Sequence, residues 1–89
     1  MLPKKRQPVH PGRILSKHFL RPLSLTQREL AISLGWSYAK LNDILHARRR
    51  VDAQSALSLA HRFEMDTAFW MNLQGNWDIW HAQKFHSRQ

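Results

Sequence analysis

Eighty-nine residues without a cysteine bound the chain to one domain with no disulfide framework and no thiolate metal site, so tight helix packing or oligomerisation must supplement a small core. No apolar run approaches the roughly 18 residues of a membrane span, and the basic start lacks the apolar segment of a signal peptide, so a cytoplasmic protein with no membrane partner is expected. The net charge of +8 is one-sided: residues 1–50 hold 11 of the 14 Lys and Arg against Glu29 and Asp43, a local net of +9, whereas residues 51–89 come to −1, and such asymmetry points to one polyanion-facing surface.

Residues 1–9 place Lys4, Lys5 and Arg6 between Pro3 and Pro8 and read as a flexible basic arm. Residues 10–85 read as a single domain. Pro11 suits the first position of a helix, where its missing N–H would be unpaired anyway. Ile14, Leu15, His18 and Phe19 follow at helical spacing, and Pro22 stops this helix, leaving Arg21 to Leu25 as a connector. Thr26 and Glu29 form a capping box for a second helix. Leu30, Ile32 and Leu34 give that helix an apolar side, and Ala31 permits close approach of a neighbour. Gly35 ends it, where a left-handed backbone is needed.

Ser37 is the N-cap of a third helix, over about 37–46. Leu41, Ile44 and Leu45 recur at helical spacing and face inward. Residues His46 to Arg50 form the exit loop. Asp52 caps a fourth helix, in which Ala56, Leu59, Ala60 and Phe63 repeat on one face. Asp66 caps a fifth, over about 67–84, along which Phe69, Trp70, Leu73, Trp77 and Trp80 form a broad stripe. No segment alternates with the two-residue period of a strand. The expected fold class is all-α, with five helices.

The second and third helices and the tight turn between them have the layout of a helix-turn-helix. In that layout the third helix would enter a major groove, and its N-terminal outward residues would reach base edges. Ser37, Tyr38, Ala39, Lys40, Asn42, Asp43 and His46 are then the candidates for contact with double-stranded DNA. Lys40 can reach a guanine edge or a phosphate, Asn42 an adenine edge, and Tyr38 and Ala39 a thymine methyl. Gln27 opens the second helix, where an amide and unpaired N–H groups can clamp phosphate. Arg48, Arg49 and Arg50 suit phosphate contact and should set the salt dependence of binding.

With these residues in place, the chain resembles the HigA-type antitoxins, the virulence-associated protein I group of the lambda-repressor-like helix-turn-helix superfamily. The matching segments are His10-Pro11-Gly12 with Ile14-Leu15, Phe19-Leu20 with Pro22-Leu23, and Leu25-Thr26-Gln27 with Glu29-Leu30-Ala31. Leu41-Asn42-Asp43-Ile44-Leu45, Ala56-Leu57 with Leu59-Ala60, and Phe69-Trp70-Met71-Asn72-Leu73-Gln74 complete them. The resemblance implies a five-helix DNA-binding dimer that represses its own operon at a palindromic operator. It implies a partner as well, a small basic toxin of the same operon, usually a ribosome-dependent messenger-RNA endonuclease. It further implies that Gln27, Tyr38, Ala39, Asp43 and His46 face DNA. Members usually carry Asn-Gly after the reading helix where this chain has His46-Ala47. Alanine disfavours positive φ, so a different helix exit is expected.

Three tryptophans are more than the last helix of a small bundle can enclose, so some should cover a partner. A two-fold homodimer with Trp77 and Trp80 near its interface would present two reading helices about 34 Å apart. An enzyme is the contrasting class. His10, His18, His46, His61, His81 and His86 form no recognisable catalytic or metal-binding pattern, so no catalytic residue, metal or cofactor is assigned. A stand-alone transcriptional regulator would share every feature except the toxin.

Overall fold

The computed structural model describes residues 6–87, so Lys4 and Lys5 of the expected arm lie outside the described residues, and residues 6–9 carry no regular structure. Five α-helices follow in order: α1 Pro11–Leu15, α2 Gln27–Leu34, α3 Tyr38–Leu45, α4 Ala53–Phe63 and α5 Thr67–Ser87. No strand occurs among the described residues.

α1 starts on a histidine. The Nδ1 of buried His10 accepts the Gly12 N–H at 2.9 Å, and Pro11 takes the first helical position. Gly12 is needed for packing. A Cβ built there would lie 1.8 Å from the Ile44 carbonyl oxygen, so α1 touches the last turn of α3 backbone to backbone. The helix widens into a π-helical turn over Ser16–Leu20, where the Arg21 N–H reaches the Ser16 carbonyl at 3.1 Å. Regular winding therefore ends at Leu20, two residues before the proline expected to stop it. The connector then turns through Ser24 at φ 54°.

The core is one cluster fed by every helix. Leu15, Leu30, Leu41, Ile44, Val51, Ala56, Leu59 and Trp70 are fully enclosed. Phe19 lies between Phe63 and Trp70, with ring centroids 4.7 and 5.3 Å away. These rings replace the stabilisation that cross-links would give a chain this small.

Two expected core residues face outward. Ile32 is 72% exposed. It lies two residues from both Leu30 and Leu34, and at about 100° per residue that spacing puts it on the opposite side of α2. Leu30, Ala31 and Leu34 form the inner face instead. Phe69 is also exposed, with its ring edge-on to Trp70 at 5.1 Å. The inner face of α5 begins one residue later, with Trp70, Leu73, Gln74 and Trp77 at successive helical steps.

With 21 residues, α5 is about 32 Å long. It packs on α4 and, more lightly, on α1. Its last turns carry exposed Ile79 and Phe85. No helix among the described residues is long and apolar enough to cross a membrane.

Candidate nucleic-acid interface

The α2–α3 unit is closed at each end by a bond its sequence supplies. Thr26 Oγ1 accepts the Glu29 N–H at 3.0 Å, and Glu29 Oε1 accepts the Thr26 N–H at 2.9 Å. The bonds from Thr26 hold the Glu29 carboxyl below the usual carboxylate range. Gly35 ends α2 at φ 72°, and the Trp36 N–H returns to the Ala31 carbonyl at 3.0 Å. Ser37 Oγ then accepts the Lys40 N–H at 3.0 Å and starts α3. Both helices are anchored from beneath by Leu30, Ala31, Leu41 and Ile44.

Anchoring Leu41, Ile44 and Leu45 inward turns the rest of α3 outward. Ser37, Tyr38, Ala39 and His46 are exposed, and Asn42 and Asp43 are half-exposed between them. His46 Nδ1 lies 2.9 Å from the Asn42 carbonyl. A carbonyl only accepts, so Nδ1 is the donor in this contact. Lys40 sits at the flank, its ammonium 4.3 Å above the Trp36 ring. Gln27 is half-buried at the start of α2, and its Nε2 is shielded from solvent without a hydrogen-bond partner.

The exit from α3 departs from the expectation drawn for His46-Ala47. Ala47 takes the left-handed conformation itself, at φ 59°. Its N–H bonds the Ile44 carbonyl at 3.1 Å, and the Arg48 N–H bonds the Asp43 carbonyl at 2.8 Å. A glycine-type helix end is thus built on alanine, with the steric cost retained.

The three arginines that follow have three different surroundings. Arg48 folds back over α3, donating from Nη2 to Asn42 Oδ1 at 2.8 Å and from Nε to Asp43 Oδ1 at 3.3 Å. Arg49 is exposed and enters no ion pair among the described residues. Arg50 turns the other way and pairs with Asp78 of α5 at 2.6 Å.

Asp78 belongs to a connection between the exit loop and α5 that composition and spacing do not suggest. The enclosed Gln74 accepts the Val51 N–H on its Oε1 at 2.7 Å and donates from Nε2 to Asp78 at 2.9 Å. Burial works to raise the Asp78 carboxyl, but hydrogen bonds from Arg50 and Gln74 and the charge of Arg50 outweigh it and hold the group below the usual range. Gln74 and His10 stand in the sequence as motif residues without a role. The available signal was a polar residue at an inward step of an otherwise apolar face.

The outer aromatics of α5 are shared between the chain and its surface. Half-buried Trp77 meets His10 edge-to-face at 4.9 Å and His81 at 4.4 Å. Trp80, also half-buried, stacks edge-on with His81 at 5.2 Å and lies beneath the Lys84 ammonium. Among the described residues no three His, Cys, Asp or Glu side chains converge where a metal ion could sit.

No family model matches the chain. It is 34% identical over 76 residues to virulence-associated protein I of Dichelobacter nodosus, an alignment covering 85% of this chain and 70% of that protein. Among solved structures, the Pseudomonas aeruginosa antitoxin HigA with the higBA promoter superposes with a TM-score of 0.88 at 34% identity, over 92% of this chain and 89% of the other. Antitoxin GraA in complex with its operator gives 0.84 at the same identity, over 93% and 84%.

Proposed function

Because the chain belongs to the helix-turn-helix family that includes virulence-associated protein I and the HigA antitoxins, we propose that it is an operator-binding antitoxin that represses its own operon and neutralises a small basic toxin encoded beside it. The observation that carries this reading is the outward face of α3. Six of its candidate side chains, Ser37, Tyr38, Ala39, Asn42, Asp43 and His46, are presented together by a helix fixed from below, on the half of the chain with a local net charge of +9. A solvated helix with no partner has no need of that convergence.

In this reading Tyr38, Ala39, Asn42, Asp43 and His46 meet base edges, while Ser37 and Lys40 lie at the groove wall. The backbone N–H groups of the α2 N-terminus at Gln27 approach phosphate, the Gln27 Nε2 being shielded from solvent. Arg49 is the exit-loop cation best placed for phosphate contact. Two copies would join through α5, near the half-buried Trp77 and Trp80. Such a protein works where the chromosome is, in the cytoplasm, and needs no cofactor.

DNA selection with the purified protein tests the reading. A palindrome with half-sites spaced by about one helical turn is expected. Failure to enrich any sequence over random duplex would overturn it. A stand-alone regulator differs only in the toxin. Co-expression of the adjacent small reading frame, toxic alone and harmless beside this chain, distinguishes the two. Light scattering at micromolar concentration should return twice the chain mass.

A further inference from the structure

We propose that Arg48 is a positioning residue for base recognition and not a phosphate clamp, a role that rests on α3 being the reading helix. The left-handed Ala47 reverses the chain after α3, and the Arg48 N–H bond to the Asp43 carbonyl fixes the reversal. The arginine side chain therefore starts beside the outward face. Its fork then spans two adjacent outward side chains, Asn42 at 2.8 Å and Asp43 at 3.3 Å.

The chemistry of each contact gives the pair a direction. A guanidinium donates and never accepts, so the amide of Asn42 must turn its Oδ1 toward Arg48. Its NH2 group points away, and among the described residues it has no acceptor. Asn42 is thereby set to donate to an acceptor on a base edge, such as a purine N7 or thymine O4. Asp43 shares one oxygen with Arg48, and no hydrogen bond reaches its Oδ2 among the described residues. That oxygen is left to accept from a cytosine or adenine amino group.

One guanidinium thus holds a donor and an acceptor side by side before DNA arrives. Pre-set side chains lose less rotamer freedom on binding than mobile ones. Arg50 is tied to Asp78, which leaves Arg49 to supply the phosphate contact of this loop.

Affinity for the selected operator and its single-base variants, measured over a salt series, separates these roles. Arg48→Ala should lower the operator-to-variant ratio roughly tenfold at one or two base pairs, with the salt slope unchanged. Arg48→Lys keeps the charge but loses the fork, and should lower the ratio equally. Arg49→Ala should leave every ratio intact and reduce the slope by about one. Added to an N42A/D43A double variant, Arg48→Ala should change no ratio further. Intact ratios in Arg48→Ala with a slope reduced by about one would make Arg48 a phosphate contact and overturn the proposal. Intact ratios in N42A/D43A itself would instead remove the reading-helix assignment on which it stands.

Discussion

The turn into α3 and the turn out of it are held from different places. On the way in, Gly35 supplies the left-handed residue, Ser37 caps the new helix, and every stabilising bond joins residues within five positions of each other. On the way out, Ala47 takes the same conformation against its own Cβ. The segment behind it is held by Gln74 and Asp78, more than twenty residues away. Gly12 of α1 presses on the carbonyl of Ile44 just before the exit. The entry is a local motif, whereas the exit is a joint of three helices. One of those helices, α5, carries the proposed dimer surface, so under that proposal the joint would tie α3 to the partner copy.

The contact beneath the exit should be the most sensitive part. Gly12→Ala would drive a methyl into the Ile44 carbonyl, which is backbone and cannot swing aside. Overpacking of this kind should cost about 3 kcal/mol, read as a lowered denaturant midpoint. A midpoint equal to wild type would mean that α1 does not bear on α3 at this point. The next effect tests the hold from α5. Gln74→Leu keeps the volume but leaves the Val51 N–H without its acceptor, and should cost about 2 kcal/mol. Hydrogen exchange should speed at Val51 while the Glu29 amide in the capping box stays protected. Equal acceleration at both would erase the distinction between the two turns.

How far each turn could be read in advance follows from the same difference. Thr26, Glu29, Gly35 and Ser37 act on neighbours within a few positions, so residue type and spacing were enough to place them. Leu41, Ile44 and Leu45 gave the outward face of α3 by subtraction. Ile32 misled because two-residue steps look apolar along the string yet diverge around a helix. The arginine cluster reads as three equivalent cations, and only folding divides them among Asn42 and Asp43, solvent, and Asp78. Gln74 acts through contacts set by topology, as does the His10 ring against Trp77, although the His10 bond to the Gly12 N–H is a local cap. No local rule marks a glutamine as the acceptor for a backbone 23 residues earlier.

A matched pair of substitutions compares the turns directly. Gly35→Ala puts a Cβ on a residue at φ 72°, and Ala47→Gly removes one from a residue at φ 59°. The first should cost, and the second should gain, about 1 kcal/mol. Thermal melts of the two single variants and the double would show whether the effects cancel. No gain from Ala47→Gly would mean the exit contacts relieve the alanine's strain fully.

The smallest expected effect is a pH dependence between about pH 7.5 and pH 5.5, above the carboxylate range of Glu29, that only the exit side should show. His10 is buried against Trp77, and its Nδ1 must stay unprotonated to accept the Gly12 N–H. Burial lowers its pKa below 6.5, with Asp78 opposing the shift and His81 adding to it. In the unfolded chain the ring takes a proton near its ordinary value, whereas in the folded protein it resists one. Between the two values the unfolded state therefore binds more protons, and stability rises with pH. The contribution is complete above about 6.5 and is lost as pH falls toward the folded value. His10→Asn offers an amide oxygen in place of Nδ1 and does not titrate. Denaturant midpoints measured between about pH 7.5 and pH 5.5 should fall further for wild type than for this variant, since all the other titrating groups are common to both. Parallel curves would place the pH response elsewhere. A steeper fall in wild type, absent from the exchange rates around Gly35, would locate it at the α1–α5 side of the exit joint.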